Sequence, residues 1–373
     1  MKNYMILICF ILMQCSITSN SRNVPLSVTK ETPKPGKGSK PLNVIFIIGD
    51  GMGLAQVSAS MYTTNTSLAL ERCKVIGIHK SYSSDDLITD SAAGATAFST
   101  GKKTKNGYLG VDSTGKSYET ILEEASRLGH ATGLVVSSTI VHATPAAFVS
   151  HVTNRDAYET IAVDLLDSGC DLMIGGGQKY FTRRTQDSLN LIPSLEKRNY
   201  AVSDYFISDY KSYQLSLDKK LMYFTADGDP LPASQGRDYM SKAAVDALNY
   251  LDKRNQQSFF IMVEGSQIDW GGHANDISYV LGEMKDFNSM LNGILDWAEK
   301  DGNTLVVITA DHETGGLSIL PGSSQGNLKT SFSTNKHTAC LIPVYAFGPG
   351  AEQFSGIYEN TEIYYKLKKA LLE

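Results

Sequence analysis

From residue 42 onward, short apolar runs alternate with longer amphipathic stretches, and this alternation restricts the fold more than any other feature of the chain. A strand that leads through a helix to a parallel neighbour buries both faces, so its sequence reads as a nearly continuous apolar run. Such runs lie at Asn43–Ile48, Thr132–Ser137, Asp171–Ile174, Ser258–Val263, Thr304–Thr309 and Pro343–Phe347. Helical periodicity falls between them, at Ser117–Leu128, Asp156–Leu166, Asp238–Asp252, Asp276–Lys300 and Thr361–Leu372. The expected architecture is α/β, a doubly wound, mainly parallel sheet sandwiched by helices. Residues 178–236 are less regular and are expected to form a peripheral subdomain, although no linker would make it independent.

The N-terminal residues read as an export signal. Lys2 precedes an apolar run from Tyr4 to Met13 that is too short to span a membrane and has the length of a signal-peptide core. Leu12-Met13-Gln14-Cys15 resembles a bacterial lipoprotein box in which Cys15 would carry lipid, with Gln14 standing where a small residue is usual. Ordinary cleavage a few residues later is the alternative. Both readings take the protein out of the cytoplasm, to a periplasmic or extracellular location. Residues 1–20 are thus assigned to the signal and the polar residues 21–40 to a disordered tether, leaving 41–373 as the folded domain. A formal net charge of −5, with no Lys/Arg cluster, argues against a nucleic-acid partner. Beyond the signal, Cys73, Cys170 and Cys340 are widely separated, and buried free thiols are expected rather than a disulfide framework.

In open α/β sheets, ligands gather beyond the carboxyl ends of the strands. Asp50 follows the first apolar run, Glu264 follows the fourth, and Asp311 and His312 follow the fifth. Asp269 and His273 lie four residues apart in one polar, glycine-flanked segment, and His337 sits in another. Carboxylates and imidazoles supplied from several directions are what hard or borderline divalent metals require. On spacing alone these groups are either a di-metal site or structural polar clusters. His79, His130 and His151 have no such company and are assigned surface or structural roles.

Ser91 precedes a run of small residues suited to starting a helix, where a hydroxyl would feel the positive end of the helix dipole. As a nucleophile it would need a base or a metal; the alternative is a simple helix cap. At this segment the chain resembles the alkaline phosphatase family, whose nucleophile signature is matched by Asp90 through Thr96. Other family segments follow in the same order along the chain: Ile48 to Gly53, His142 to Ala146, Glu264-Gly265 with Asp269 and His273, Asp311-His312, and His337-Thr338. The resemblance covers residues from about 42 to the end, and is strongest to compact bacterial members carrying an Ile-Asp-Trp-Gly-Gly-His segment.

The resemblance implies hydrolysis of small phosphate monoesters, releasing inorganic phosphate, at three metal sites. One zinc would be held by Asp269, His273 and His337, and a second by Asp50, Asp311 and His312 with Ser91 as its reactive ligand. Magnesium would use Asp50, Thr144 and Glu264, with His142 nearby. Arg155 matches the family arginine that grips two phosphate oxygens, a bidentate task suited to a guanidinium. Ser91 would attack phosphorus and pass through a phosphoseryl intermediate, activated by one zinc while the other stabilises the leaving alkoxide. By formal charge, three divalent cations and Arg155 set against the four carboxylates leave a positive surplus that a monoester dianion and the Ser91 alkoxide would balance.

Two positions depart from the best-known bacterial pattern. His142 stands where an Asp lies near magnesium, and Trp270 where a Lys reaches phosphate through water, so metal and phosphate affinities are the properties affected. The short stretch between His312 and His337 leaves little room for the dimer-capping insertion of some relatives, and a homodimer is left open. A phosphodiesterase of the same superfamily is the nearest alternative, but would lack the third metal site that Thr144 and Glu264 complete. Sulfatases mature a Cys or Ser in a C/S-x-P-x-R motif, which Ala92-Ala93-Gly94 after Ser91 excludes. A non-catalytic metal- or phosphate-binding protein is the alternative from another class; retention of Ser91 and Arg155 beside the metal ligands speaks against it.

Overall fold

The computed structural model describes residues 42–64, 67–254 and 257–372, so the signal, the tether and Cys15 lie outside the described residues. Strand β1 (Asn43–Gly49) is buried along its whole length: Val44, Phe46 and Ile48 enter the apolar core on one face of the sheet, Ile45 and Ile47 that on the other. Side chains alternate across a strand, so burial of both faces favours apolar residues throughout, and the polar Asn43 at its start is hydrogen-bonded to Phe259 N and Asp301.

The strands that follow are β2 (Val75–Lys80), β3 (Ala131–Thr139), β4 (Leu172–Gly176), β5 (Tyr200–Asp204), β6 (Lys220–Phe224), β7 (Phe259–Gly265) and β8 (Thr304–Thr309). Four short strands come next: β9 (Glu313–Thr314), β10 (Leu317–Ile319), β11 (Thr330–Phe332) and β12 (His337–Thr338). The last two are β13 (Ile342–Phe347) and β14 (Gly356–Glu359). Ten of these form one sheet in the order β14-β2-β13-β8-β1-β7-β3-β4-β6-β5, while β10 pairs with β11 and β12 with β9. Within the large sheet β13 runs antiparallel to β2 and β8, and the remaining pairings are parallel. The architecture is therefore the α/β fold expected, with a mostly parallel sheet between two helical layers.

The helices are α1 (Leu54–Thr63), α2 (Ser91–Thr100), α3 (Ile121–Arg127), α4 (Ala143–Ala146), α5 (Tyr158–Asp167) and α6 (Lys179–Thr182). They continue with α7 (Ile192–Lys197), α8 (Met240–Arg254), α9 (Gln267–His273), α10 (Ile277–Asp301) and α11 (Thr361–Leu372). Helices α2, α3, α5 and α11 send Phe98, Leu122, Ile161 and Leu367 into one core; α8 and α10 send Leu248 and Leu291 into the other. Helix α3 begins at Ile121 rather than Ser117 because Thr120 caps it. The Thr120 hydroxyl accepts from Glu123 N at 3.2 Å, and the Glu123 carboxylate accepts from Thr120 N at 2.9 Å.

Two expectations need correction. Residues 178–236 do not form a separate subdomain: β5 and β6 extend the main sheet by parallel pairing with each other and with β4. Cys340 is exposed, because it lies in the surface connection between β12 and β13; Cys73 and Cys170 are buried, and burial pushes both thiols up to about 12.

Arg237 fastens the return of this sheet edge to the body. Its buried guanidinium donates to Glu283 and Asp286 on α10 and to Leu231 O at 3.3 Å, while Glu283 also accepts from Ala233 N at 2.8 Å. Removal of one partner strands the other's charge in a site with little water. Arg237→Met is therefore expected to lower stability by about 3–5 kcal/mol, read as a lower midpoint in urea unfolding. A loss below about 1 kcal/mol, the range of a surface pair, would refute this account.

Candidate active site

Parallel register brings the chemistry-bearing residues to one end of the sheet. Ile47 of β1 lies level with Val263 of β7 and Ile308 of β8, so Asp50, Glu264 and the Asp311-His312 pair emerge at neighbouring strand ends. His142 and Thr144 follow β3, while Asp269 and His273 lie on α9, one turn apart. His337 is on β12, which pairs with β9 directly beyond His312. Among the described residues, three sets offer ligand atoms within 4.8 Å of one another: Asp269 with His273 and His337, Asp50 with Asp311 and His312, and Asp50 with His142 and Glu264.

In the first set, His273 Nε2 lies 3.3 Å from Asp269 Oδ2, and His337 Nε2 lies 3.5 Å from Asp269 Oδ1. The opposite ring nitrogens bond backbone carbonyls: His273 Nδ1 with Asn335 O and His337 Nδ1 with Thr89 O, each at 2.8 Å. Donation from Nδ1 leaves the Nε2 lone pairs facing each other at 3.1 Å, an arrangement that needs a proton or a cation between them. Its hydrogen bond with Asp269 raises His273 to about 9.

The second set is fully buried. His312 Nε2 lies 3.5 Å from Asp50 Oδ1 and 3.2 Å from Asp311 Oδ2. Burial, reinforced by Asp311, Asp269 and Glu264, raises Asp50 well above the carboxylate range, and burial also lowers His312 well below the imidazole range. In the third set, burial pushes Glu264 up to about 8 and His142 down to about 3. Asp50 Oδ1, Asp311 Oδ2, Glu264 Oε1, His142 Nδ1 and Thr144 Oγ1 are buried with no hydrogen-bond partner. Buried polar atoms rarely go unpaired, and five of them converging here fit cations that would reverse the local electrostatics. The donor sets suit divalent metal ions: each combines imidazole nitrogen with carboxylate oxygen, and the Thr144 hydroxyl adds a further oxygen donor.

Ser91 opens α2, and it is not the cap. Asp90 caps the helix, accepting from Ala93 N at 2.9 Å, so the Ser91 hydroxyl is free to face the second set. Ser91 Oγ lies 3.3 Å from Asp50 Oδ2 and 3.2 Å from His312 Nε2. Glycine at position 94 leaves room for this approach, since an added Cβ would come 3.0 Å from Asp311 Cβ. Arg155 stands before α5 rather than at its start, because Asn154 Oδ1 accepts from Asp156 N at 3.0 Å and holds a turn there. Arg155 Nη1 donates to Asp90 Oδ2 at 2.9 Å, and the same oxygen accepts from Gly107 N at 2.9 Å. Trp270 is half-buried, its ring edge-on to His142 with centroids 6.1 Å apart.

Asp90 and Thr314 were missed as individual site residues by sequence reasoning. Thr314 Oγ1 donates to Asp269 Oδ1 and lies 3.2 Å from His312 Nδ1, bridging the first two sets. Its place two residues after His312, on the same side of an extended segment, is the signal that could have found it. The three remaining histidines have structural partners: His79 bonds Ala310 O at 3.0 Å, His130 bonds Ser258 Oγ at 2.7 Å, and His151 bonds Gly110 O at 2.8 Å.

Comparison with known proteins agrees with this geometry. The family model for alkaline phosphatase matches residues 41–329. Alkaline phosphatase 3 of Bacillus subtilis is 33% identical, over 94% of this chain and 93% of its own length. The alkaline phosphatase of Escherichia coli is 30% identical, over 91% of this chain and 86% of its own length. The solved structure of alkaline phosphatase from the Antarctic bacterium TAB5 superposes with a TM-score of 0.84 at 41% identity, covering 89% of this chain and 98% of that one. A serine at a helix start facing buried carboxylates and histidines, in this fold and with these likenesses, makes the chain a member of the alkaline phosphatase family.

Proposed function

We propose that the enzyme hydrolyses small phosphate monoesters through a phosphoseryl intermediate on Ser91, with two zinc ions and one magnesium ion held by the three residue sets. The position of Ser91 Oγ, within 3.3 Å of both Asp50 and His312 at the first residue of α2, carries this reading. The third set, with Thr144 beside it, is assigned magnesium for its two carboxylates and hydroxyl; a His-to-Asp variant of the TAB5 enzyme, 40% identical to this chain, has Mg bound in its M3 site, whereas the set here keeps His142. When bound, the cations supply Lewis acidity and positive charge that make a serine hydroxyl a usable nucleophile and offset the charge of the phosphoryl oxygens.

The chain's own part is orientation. Ser91 Oγ forms the new bond to phosphorus as the bond to the ester oxygen breaks, and hydrolysis of the phosphoserine frees Ser91 and phosphate. Arg155 spends Nη1 on Asp90, which leaves the rest of its fork for two phosphoryl oxygens. The N-terminus of α2 adds its dipole at the same point. Lys2 and the apolar run Tyr4–Met13 support export to the periplasm or beyond, with Cys15 as the candidate lipid anchor.

Ser91→Ala should fold and keep its metals while losing turnover by several powers of ten. Acid trapping of the wild-type enzyme with labelled phosphate should place the label on Ser91; label on another residue would refute the assignment. Prolonged chelation should abolish activity, and zinc with magnesium should restore it. Full turnover by protein shown to contain no zinc would defeat the proposal.

Trp270 places a neutral ring where an ammonium would attract bound phosphate. Trp270→Lys should therefore strengthen phosphate inhibition by about 1 kcal/mol, or about fivefold in inhibition constant. A variant that retains its zinc but shows unchanged inhibition would rule out this electrostatic role.

A further inference from the structure

The ligands in the three sets do not rest on equal supports. Asp50, Asp311 and His312 emerge from central strands of the large sheet, and Asp269 and His273 share a helix. His337 rides on a two-residue strand flanked by exposed Asn335, Lys336, Ala339 and Cys340. Two residues of backbone pairing are a weak hold for a ligand whose position must be reproduced closely.

The Thr89 carbonyl orients the His337 ring, and Glu313, a buried carboxylate that touches neither metal nor phosphate in the scheme above, supports the strand that carries it. Four donors converge on its two oxygens: Gln56 Nε2 at 2.8 Å and Leu317 N at 3.2 Å on Oε1, Gly316 N at 3.2 Å and the Thr338 hydroxyl on Oε2. Four donors fill the acceptor capacity of an ionised carboxylate. The β9–β12 register sets Thr338 opposite Glu313 and His337 opposite Thr314, so the side-chain bond reinforces the backbone pairing beside the ligand. On its other side, Glu313 packs against the loop that follows Asp50. A Cβ at Gly53 would lie 2.3 Å from Glu313 Cγ, and only glycine permits that approach. Gln56 also donates to Thr314 O at 2.8 Å, tying α1 to β9.

We infer that Glu313 is a positioning residue that, through Thr338, holds His337 in the Asp269–His273–His337 set and so determines the metal affinity of that set. The inference rests on the proposed zinc role of these three residues. Partners behind a metal ligand typically change affinity by about 10- to 100-fold when removed, and that is the effect expected here.

The test is zinc binding by metal-stripped, full-length protein in competition with a chromogenic chelator. Wild type is compared with Glu313→Gln, Thr338→Val and Thr338→Ser, and His273→Ala marks which equivalent belongs to the His337 set. In Glu313→Gln and Thr338→Val, that equivalent should weaken by about 10- to 100-fold, while the Asp50–Asp311–His312 equivalent keeps wild-type affinity. Thr338→Ser, which retains the hydroxyl, should bind as wild type does. Thr338→Val carries the test if Glu313→Gln does not fold. Equal weakening of both equivalents, unchanged binding in Thr338→Val, or failure of Thr338→Ser to bind normally would each overturn the inference. A wild-type chain that binds no zinc would instead overturn the reading of the set itself.

Discussion

Four carboxylates gathered where water is scarce are the constraint on which this structure depends. Asp50, Glu264, Asp311 and Asp269 are buried at one end of the sheet, and their mutual repulsion adds to the cost of desolvation. Groups so placed must be neutralised by protons or by cations. The arrangement is therefore a poor way to stabilise a fold and a good way to concentrate positive charge beside a serine. Protein donors reach only one oxygen of each of Asp50, Asp311 and Glu264, and leave the other buried without a partner.

The frame that tolerates this cluster is the apolar sheet beneath it. Strands β1, β7 and β8 are buried along their whole length, so their carboxyl ends stay in register while the residues just beyond them change to acids and histidines. Side chains behind the site then set its finer geometry. Asp90 caps α2 and holds Arg155 with one carboxylate, which couples the aim of Ser91 to that of the Arg155 guanidinium. Thr314 joins Asp269 to His312, and the backbone carbonyls of Asn335 and Thr89 fix the rings of His273 and His337. Orientation by partners of this kind is a regular property of metal sites.

Most of the sheet was legible because burial on both faces leaves a strong apolar signal. Strands β2, β5 and β14 left a weaker one, since they lie toward the sheet edges and keep partly exposed positions. Strand β6 was also not read, although it is almost wholly buried, because its apolar run is short. The same reasoning located Asp50, Glu264 and Asp311, which follow such apolar runs. It could not decide between cap and nucleophile for Ser91, because a serine before a helix suits either role. Asp90, one residue earlier, takes the cap and leaves the hydroxyl to the site.

What the sequence determined by itself was the class of fold, through local periodicity, and the inventory of ligand types, through their places after strands. Spacing alone did not say which residues share a site; the family resemblance grouped them, and tertiary structure brings Asp269 within 3.5 Å of His337 because β9 and β12 pair beside the site. The contacts of Glu313 were likewise invisible in the sequence, whereas Thr314 carried only the faint signal of its spacing from His312. A carboxylate or hydroxyl next to a ligand reads as an ordinary polar residue until the chain closes, and only then do distant donors and acceptors come within the few ångströms over which a hydrogen bond acts.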